Sequence, residues 1–388
     1  MYWKRLLEDT INKARETFPV IVITGARQTG KSTLLKEFLK NNNPTIINLD
    51  DPSFRRLLQD NPLEYLKTLK KPIIIDEIQY MPELASYIKI IVDNNRIPGQ
   101  WFLTGSQQFS VMKNISDSLA GRAAILSLPT FQIDERKKIN KIGDYLISSS
   151  YPEPCVNIKV NNDLWYSSYL QTYIERDVRA LLNIENIRDF ESFIRLIAAN
   201  TAQELNMSRV SSDLGVSVPT VKRWLSVLEA SYIIYLLPPY HSNFGKRIVK
   251  SPKIFFYDNG FVNYLLGIKD SEFLLKGPMA GPLFENAVIM EIVKLFHSRG
   301  IKPFLYFWRS QSGIEVDLII ETNVKHIPCE IKLSSSLKKS FYKNINYWLE
   351  LSGQKDSIGY LITNCNENLP IPQNIKNIYW KKIANILE

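Results

Sequence analysis

Residues Val20 to Ile23 are a short run of apolar, β-branched side chains, followed at once by Gly25-Ala26-Arg27-Gln28-Thr29-Gly30-Lys31-Ser32-Thr33. A run that is apolar at every position suits a strand buried on both faces, as in the middle of a parallel sheet. Apolar residues then recur at Leu34, Leu35, Phe38 and Leu39, which is helical spacing. Strand, glycine-bearing loop and helix in this order confine the front of the chain to an α/β architecture. The same context turns a glycine pattern into a phosphate-binding loop. Its glycines let main-chain N–H groups approach phosphate oxygens, and the helix N-terminus adds partial positive charge. Lys31 reaches the β- and γ-phosphates of a nucleotide, and the Ser32 hydroxyl is a ligand for Mg²⁺. Gly25 to Thr33 are thus the expected nucleotide-binding residues.

Two further strands bear on the same site. Ile73-Ile74-Ile75 ends in Asp76-Glu77, and ligands bind at the C-terminal edge of parallel strands in open α/β sheets. Alone, these would read as two solvated carboxylates. Beside a phosphate loop, Asp76 is expected to assist the metal and Glu77 to polarise an attacking water. The run "QWFLTGS" ends in Thr104-Gly105-Ser106, whose hydroxyls are placed to sense the γ-phosphate. Phosphoryl transfer also needs a cation for the charge that develops. Arg122 is the candidate arginine finger, with Arg27 as its rival. A finger acting in trans would require a homo-oligomer.

The motifs "GARQTGKST", "IIIDEIQ", "WFLTGSQQF" and "SLAGR" together resemble the AAA-type ATPase domain of a large family of bacterial and archaeal ATP-binding proteins. "YLQTYIERDVR" (Tyr169–Arg179) is similar to the start of the C-terminal region of unknown function that accompanies that ATPase. The resemblance spans nearly the whole chain. It implies ATP binding and ATP hydrolysis and supplies no biological role.

Composition narrows the setting. The 388 residues are 45% apolar and 22% charged, enough to bury two or three domain cores. A net charge of +9 is compatible with a polyanionic partner, and equally with a solvated lysine-rich surface. Three widely spaced cysteines, without a CxxC pair, argue against a disulfide framework or a zinc site. No window approaches the ~20 apolar residues that cross a bilayer, so no membrane contact is expected and a cytoplasmic location is.

The polar stretch "SSSYPEPCVN" marks the expected end of a first domain at 1–149. Within 150–274, Trp165–Ile197 has helical periodicity. Ser208–Leu214, the turn Gly215-Val216-Ser217 and Pro219–Leu228 have helix-turn-helix spacing, and two strand-like runs flank the basic "HSNFGKRIVK". This reads as a winged helix. If it contacts DNA, Thr220, Lys222 and Arg223 face the major groove while Lys246 and Arg247 meet phosphate. The alternative is a winged helix that serves only to pack or to hold protein.

In 275–388, Phe284–Phe296 is helical, "FLYFW" is a strand, and "EVDLII" with "IPCEIK" forms a hairpin. Alternation puts Glu330 and Lys332 on one face. With Asp317 opposite Glu330, two carboxylates would chelate a divalent cation, Lys332 would act on the attacking water, and Glu285 would complete the site. The order of helix and strands with D…ExK resembles the PD-(D/E)XK nuclease-like superfamily, although Val316 stands where many members have proline. The resemblance implies metal-assisted phosphodiester hydrolysis, or a scaffold that retains the fold without it. The chain as a whole thus reads as α/β: a P-loop sheet, a helical and winged-helix segment, and an α/β nuclease-like domain. It would use ATP and Mg²⁺ and act on DNA in repair, recombination or defence. The alternative is a regulatory ATPase whose later domains bind protein.

Overall fold

The computed structural model describes residues 2–105, 118–136, 139–173, 187–240, 251–322, 325–354, 357–367 and 370–387. Five parallel strands, β1 (Val20–Thr24), β2 (Thr45–Asn48), β3 (Ile73–Asp76), β4 (Trp101–Thr104) and β5 (Ala123–Ser127), lie in the order β2-β3-β4-β1-β5. Side chains alternate across this sheet, so its buried strands feed two separate cores. Val20, Val22, Ile73 and Ile75 join one, while Ile21, Ile23 and Ile74 join the other. The covering helices are α1 (Leu7–Arg15), α2 (Lys31–Leu39), α3 (Pro52–Leu57), α4 (Pro62–Thr68) and α5 (Leu84–Asn94). Because the strands are parallel, the ends of β1, β3 and β4 share one edge, with Ile23 beside Thr104 and Asn48 beside Asp76.

The next segment holds α6 (Ile142–Ile147), α7 (Pro152–Val156), α8 (Asn162–Tyr173), α9 (Ile187–Ala199), α10 (Met207–Leu214) and α11 (Val218–Ala230). Strands β6 (Ile234–Leu237) and β7 (Lys253–Phe256) pair antiparallel, and α12 (Asn259–Leu266) and α13 (Ser271–Lys276) follow. Gly215 ends α10 in the left-handed region (φ 66°), and the Ser217 hydroxyl caps α11 by accepting from Thr220 N. Capping by serine contributes about 1 kcal/mol and sets where α11 begins. Lys246 and Arg247 lie outside the described residues.

The last segment opens with α14 (Ala280–Ser298), a nineteen-residue helix buried along almost its whole circumference. Helices of this kind are apolar all round, as Val288-Ile289-Met290 and Ile292-Val293 illustrate. Strands β8 (Leu305–Arg309), β9 (Glu315–Glu321), β10 (His326–Lys332), β11 (Gly359–Thr363) and β12 (Ile375–Tyr379) make a mixed sheet in the order β12-β11-β10-β9-β8. Helix α14 packs on β10 from one side and α15 (Lys343–Leu351) from the other.

One apolar core runs continuously through the second and third segments and takes in Ala26 of the phosphate loop. Burying each Leu, Ile or Phe in it contributes roughly 1.5–3 kcal/mol. The stretch around Ser150 is also interior. Ser149 and Ser150 are both buried, and Ser150 donates to Asp258 from its main-chain N (2.5 Å) and from its hydroxyl (2.7 Å). Gly260 is required beside this joint, since a Cβ there would lie 2.3 Å from the Tyr166 hydroxyl.

Candidate nucleotide site and acidic cluster

The loop from Gly25 to Gly30 leaves the C-terminal end of β1 and enters α2. Gly25 has φ 140°, and a Cβ on it would stand 2.2 Å from the Leu128 carbonyl oxygen, so only glycine fits. Gln28 and Gly30 also have positive φ. Thr29 is fully buried, its hydroxyl donating to the Ala26 carbonyl at 2.9 Å. The Lys31 ammonium folds back on the loop, donating to the Gly25 (3.0 Å) and Ala26 (2.7 Å) carbonyls. No side chain caps the N-terminus of α2. Such a helix end is suited to an anion.

Ser32 donates its hydroxyl to Asp76 Oδ1 at 2.8 Å, joining α2 to the tip of β3. Thr104, on the strand between, donates to the same carboxylate oxygen and accepts from Glu77 N at 3.3 Å. Thr104 is therefore engaged with Asp76 and does not line the cavity; Ser106 lies outside the described residues. Glu77 occupies the left-handed region (φ 57°), where a residue with a side chain is strained by about 1–3 kcal/mol. Its carboxylate accepts from the Gln79 amide.

A cavity of about 720 Å³ opens over this edge of the sheet. Arg27, Gln28, Gly30, Lys31, Ser32, Thr33 and Glu77 line one side. The opposite wall comes from the second segment, where α7 brings Pro152 and Glu153 and α8 brings Tyr169, Thr172 and Tyr173. Sequence reasoning missed this wall. The available signal was the aromatic stripe Trp165, Tyr169, Tyr173 at helical spacing, whose rings stack at 5.2 Å and 6.4 Å.

Arg122 corrects an expectation. It immediately precedes β5 and its carbonyl accepts from Val20 N, which puts it at the N-terminal edge of the sheet, opposite the cavity. Its guanidinium holds Asp93 on α5 through Nε (2.5 Å) and Nη2 (3.0 Å). It is not a finger for its own chain's site; Arg27, the rival, lines the cavity.

The third segment gathers the other predicted residues. Asp317 on β9 accepts from Lys332 Nζ and from Ile331 N, both at 2.8 Å. Lys332 Nζ also lies 2.6 Å from Glu330 Oε2, an ion-pair contact outside hydrogen-bond geometry. Burial, then the charge of Asp317, push Glu330 up to about 9. Burial acts to raise Asp317 as well, but Lys332 and Lys253 outweigh it and hold this carboxylate below its ordinary range.

Glu285 shares a cation with Glu315. Lys253 of β7, almost fully buried, lies 3.0 Å from Glu285 Oε1 and 2.5 Å from Glu315 Oε1. Among the described residues no three His, Cys, Asp or Glu side chains are grouped to hold a metal ion. Lys332 thus joins Asp317 and Glu330, while Lys253 joins Glu285 to Glu315 beside them. Thr220 is half-buried at the start of α11, and Lys222 and Arg223 are exposed on it.

The strand–loop–helix, the acidic strand tip and the cavity define a P-loop nucleotide-binding domain. Residues 17–137 match the family described as AAA domain, and 139–272 and 280–383 match two families each described as a domain of unknown function (DUF8612 and DUF4143). The chain is 29% identical over 332 residues to uncharacterized proteins of Mycobacterium tuberculosis and Mycobacterium bovis, covering 84% of this chain and 73% of each relative. The Walker-type ATPase of Pyrococcus abyssi superposes with TM-score 0.47 at 15% identity, over 69% of this chain and 96% of that one. The RuvB Holliday junction branch migration motor of Thermotoga maritima does so with TM-score 0.32 at 15% identity, over 60% and 89%. The front of the chain is therefore a P-loop ATPase domain. No helix among the described residues is long and apolar enough to cross a membrane.

Lys253 should prove to be a bolt between the second and third segments. Replacing it by methionine leaves Glu285 and Glu315 without their shared cation, at a cost of about 3–5 kcal/mol. The expected result is a melting temperature lower by roughly 10 °C, with partial recovery in the Lys253→Met/Glu285→Gln double variant. An unchanged melting temperature would contradict this.

Proposed function

We propose that the protein is a magnesium-dependent ATPase whose nucleotide cycle governs contact with nucleic acid. The hydrogen bond between Ser32 and Asp76 is the observation that carries the metal reading. A hydroxyl and a carboxylate already converge there, and both are the hard oxygen donors Mg²⁺ takes. Ser32 would ligate the ion and Asp76 would hold it from the strand tip. When bound, the ion neutralises charge on the β- and γ-phosphates.

The chain's own residues account for the rest. Gly25 to Thr33 cradle the phosphates, and Lys31 exchanges its loop carbonyls for phosphate oxygens. Glu77, steadied by Gln79, polarises the attacking water. Tyr169, Thr172 and Tyr173 close the cavity from the second segment, so nucleotide occupancy bears on that segment's position. Besides Lys31, Arg27 lines this chain's own cavity, and a finger from a second copy would make the active form a homo-oligomer.

The nucleic-acid part rests on α11. It follows a glycine turn, begins at a serine cap and presents Lys222 and Arg223 to solvent on a chain of net charge +9. Read as a winged helix, this element would set α11 in the major groove of DNA.

A second reading of the third segment is favoured by its ion pairs. Lys253 and Lys332 neutralise the carboxylates that cleavage would need for metal. On this reading that sheet has a scaffold role in binding DNA or protein.

Two experiments test these readings. Glu77→Gln should bind ATP with native affinity and hydrolyse it at least about 10²-fold more slowly, while Lys31→Ala should not bind it. Normal turnover in the first variant would remove Glu77 from the mechanism. In gel-shift titrations, Lys222→Ala/Arg223→Ala should weaken duplex binding about tenfold and flatten its salt dependence. If the native chain binds no duplex at low salt, the protein-binding alternative stands.

A further inference from the structure

We propose that Arg5 is a positioning residue for ATP binding, held in place by helix α14 of the third segment. The inference rests on the nucleotide reading above. Arg5 lies just ahead of α1 and is 3% exposed, an unusual place for an arginine without a task. Its fork donates in three directions: to the Thr29 carbonyl of the phosphate loop (2.9 Å), to the Pro129 carbonyl (2.7 Å) and to Glu135 Oε1 (3.0 Å). The guanidinium also sits 4.7 Å from the centre of the Phe131 ring.

The contact with Thr29 acts on the next N–H. In a trans peptide the C=O and the following N–H lie in one rigid plane and point opposite ways. Fixing the Thr29 oxygen on the side of Arg5 therefore directs the Gly30 N–H away from Arg5. Gly30 lines the nucleotide cavity and precedes Lys31 and Ser32. Arg5 touches no nucleotide; it sets the orientation of the peptide that does.

Arg5 is itself gripped. Glu135 accepts from Leu6 N (2.7 Å) with Oε1 and from Gln132 N (2.9 Å) with Oε2, which makes the turn from Phe131 to Glu135 one rigid piece. Helix α14 holds that turn from the far side. Glu291 Oε2 accepts from Ile133 N at 2.9 Å, Lys294 Nζ donates to the Phe131 carbonyl at 3.1 Å, and the Lys294 carbonyl accepts from Gln132 Nε2 at 3.3 Å. Glu291 and Lys294 are both buried and lie 3.7 Å apart. All of these groups are paired inside the protein, where an unmet hydrogen bond is costly, so a shift at one end must be answered at the other.

Two separate features join the same helix to the loop. The Tyr232 hydroxyl bridges Thr24 (3.1 Å) and Ser127 (3.0 Å) at the foot of the phosphate loop, and Tyr232 packs edge-on to Tyr257, whose hydroxyl meets His297 of α14 at 3.2 Å. Ala26 of the loop lies in the core that α14 fills. Helix α14 is about 28 Å long by its residue count. It carries Glu291, Lys294 and His297 on the ATPase side and Glu285 at the acidic cluster. The nucleotide site and the third segment are thus two ends of one element. Spatial continuity alone does not establish coupling; a shared energetic response does.

The test measures ATP affinity and amide exchange on the full chain. Arg5→Lys keeps the charge and loses the fork, and Glu291→Gln keeps an acceptor and loses the charge. We expect Arg5→Lys to raise the KM and Kd for ATP about tenfold with kcat nearly native, and the double variant to lose less than the product of the single losses. A merely structural role would instead lower the active fraction and melting temperature with KM unchanged. In the native chain, a non-hydrolysable ATP analogue should slow exchange in residues 280–298. Native KM in a folded Arg5→Lys variant, strictly multiplicative losses, or exchange in 280–298 indifferent to the analogue would each overturn the proposal. The exchange measurement decides the matter even if Arg5→Lys does not fold. If the native chain binds no ATP in a calorimetric titration, the nucleotide reading fails and takes this inference with it; binding without the effects above sinks the inference alone.

Discussion

The hydrogen bond from Ser32 to Asp76 is the contact around which the first domain is arranged. Asp76 ends β3, and β4 separates it from β1, so the loop and the first turn of α2 must reach back across two strand spacings, about 10 Å. The reach is possible because β1 is short and fully buried and because Gly25 lets the chain pass against the Leu128 carbonyl. Thr104 at the end of β4 binds the same carboxylate, so the ends of β3 and β4 and the first turn of α2 meet at one oxygen. The left-handed conformation of Glu77 follows directly after, where the chain turns away from the sheet edge. Strain at such a point persists only when its surroundings hold it.

Electrostatics divides the molecule into two kinds of polar interior. Positive groups line the nucleotide cavity: the uncapped start of α2, Lys31 held on loop carbonyls, and Arg27 at the wall. In the third segment the charges are already answered by one another. Burying ions costs several kcal/mol each, and their attraction returns that only with good geometry. Such a cluster joins β7 to the last sheet.

The parts of the site that are contiguous in the chain were readable as sequence. Gly25 to Thr33 form one loop whose conformation follows from its own glycines, and Asp76 and Glu77 announce themselves as charges at the end of a triple-isoleucine strand. The strands carrying Asp317 and Glu330 were legible for the same reason, through period-two alternation. What was not legible depends on contacts between residues far apart. Lys253 reads as one polar residue in a strand, and only its packing against α14 and β9 shows that it bridges Glu285 and Glu315. Arg122 reads as a cation beside a glycine; which edge of the sheet it occupies depends on strand direction. Arg5 and Glu135, 130 residues apart, carry no local pattern, and their pairing is set by how α1 and α14 enclose the turn after β5.

The most direct measurement is calorimetric titration of ATP into the native chain and into Asp76→Asn, each with Mg²⁺ and with EDTA. A shared ion at Ser32 and Asp76 predicts that Mg²⁺ tightens ATP binding to the native chain and brings little or no gain to the variant. If Asp76→Asn retains the full metal-dependent gain, the ion is held elsewhere and the account of this site is wrong.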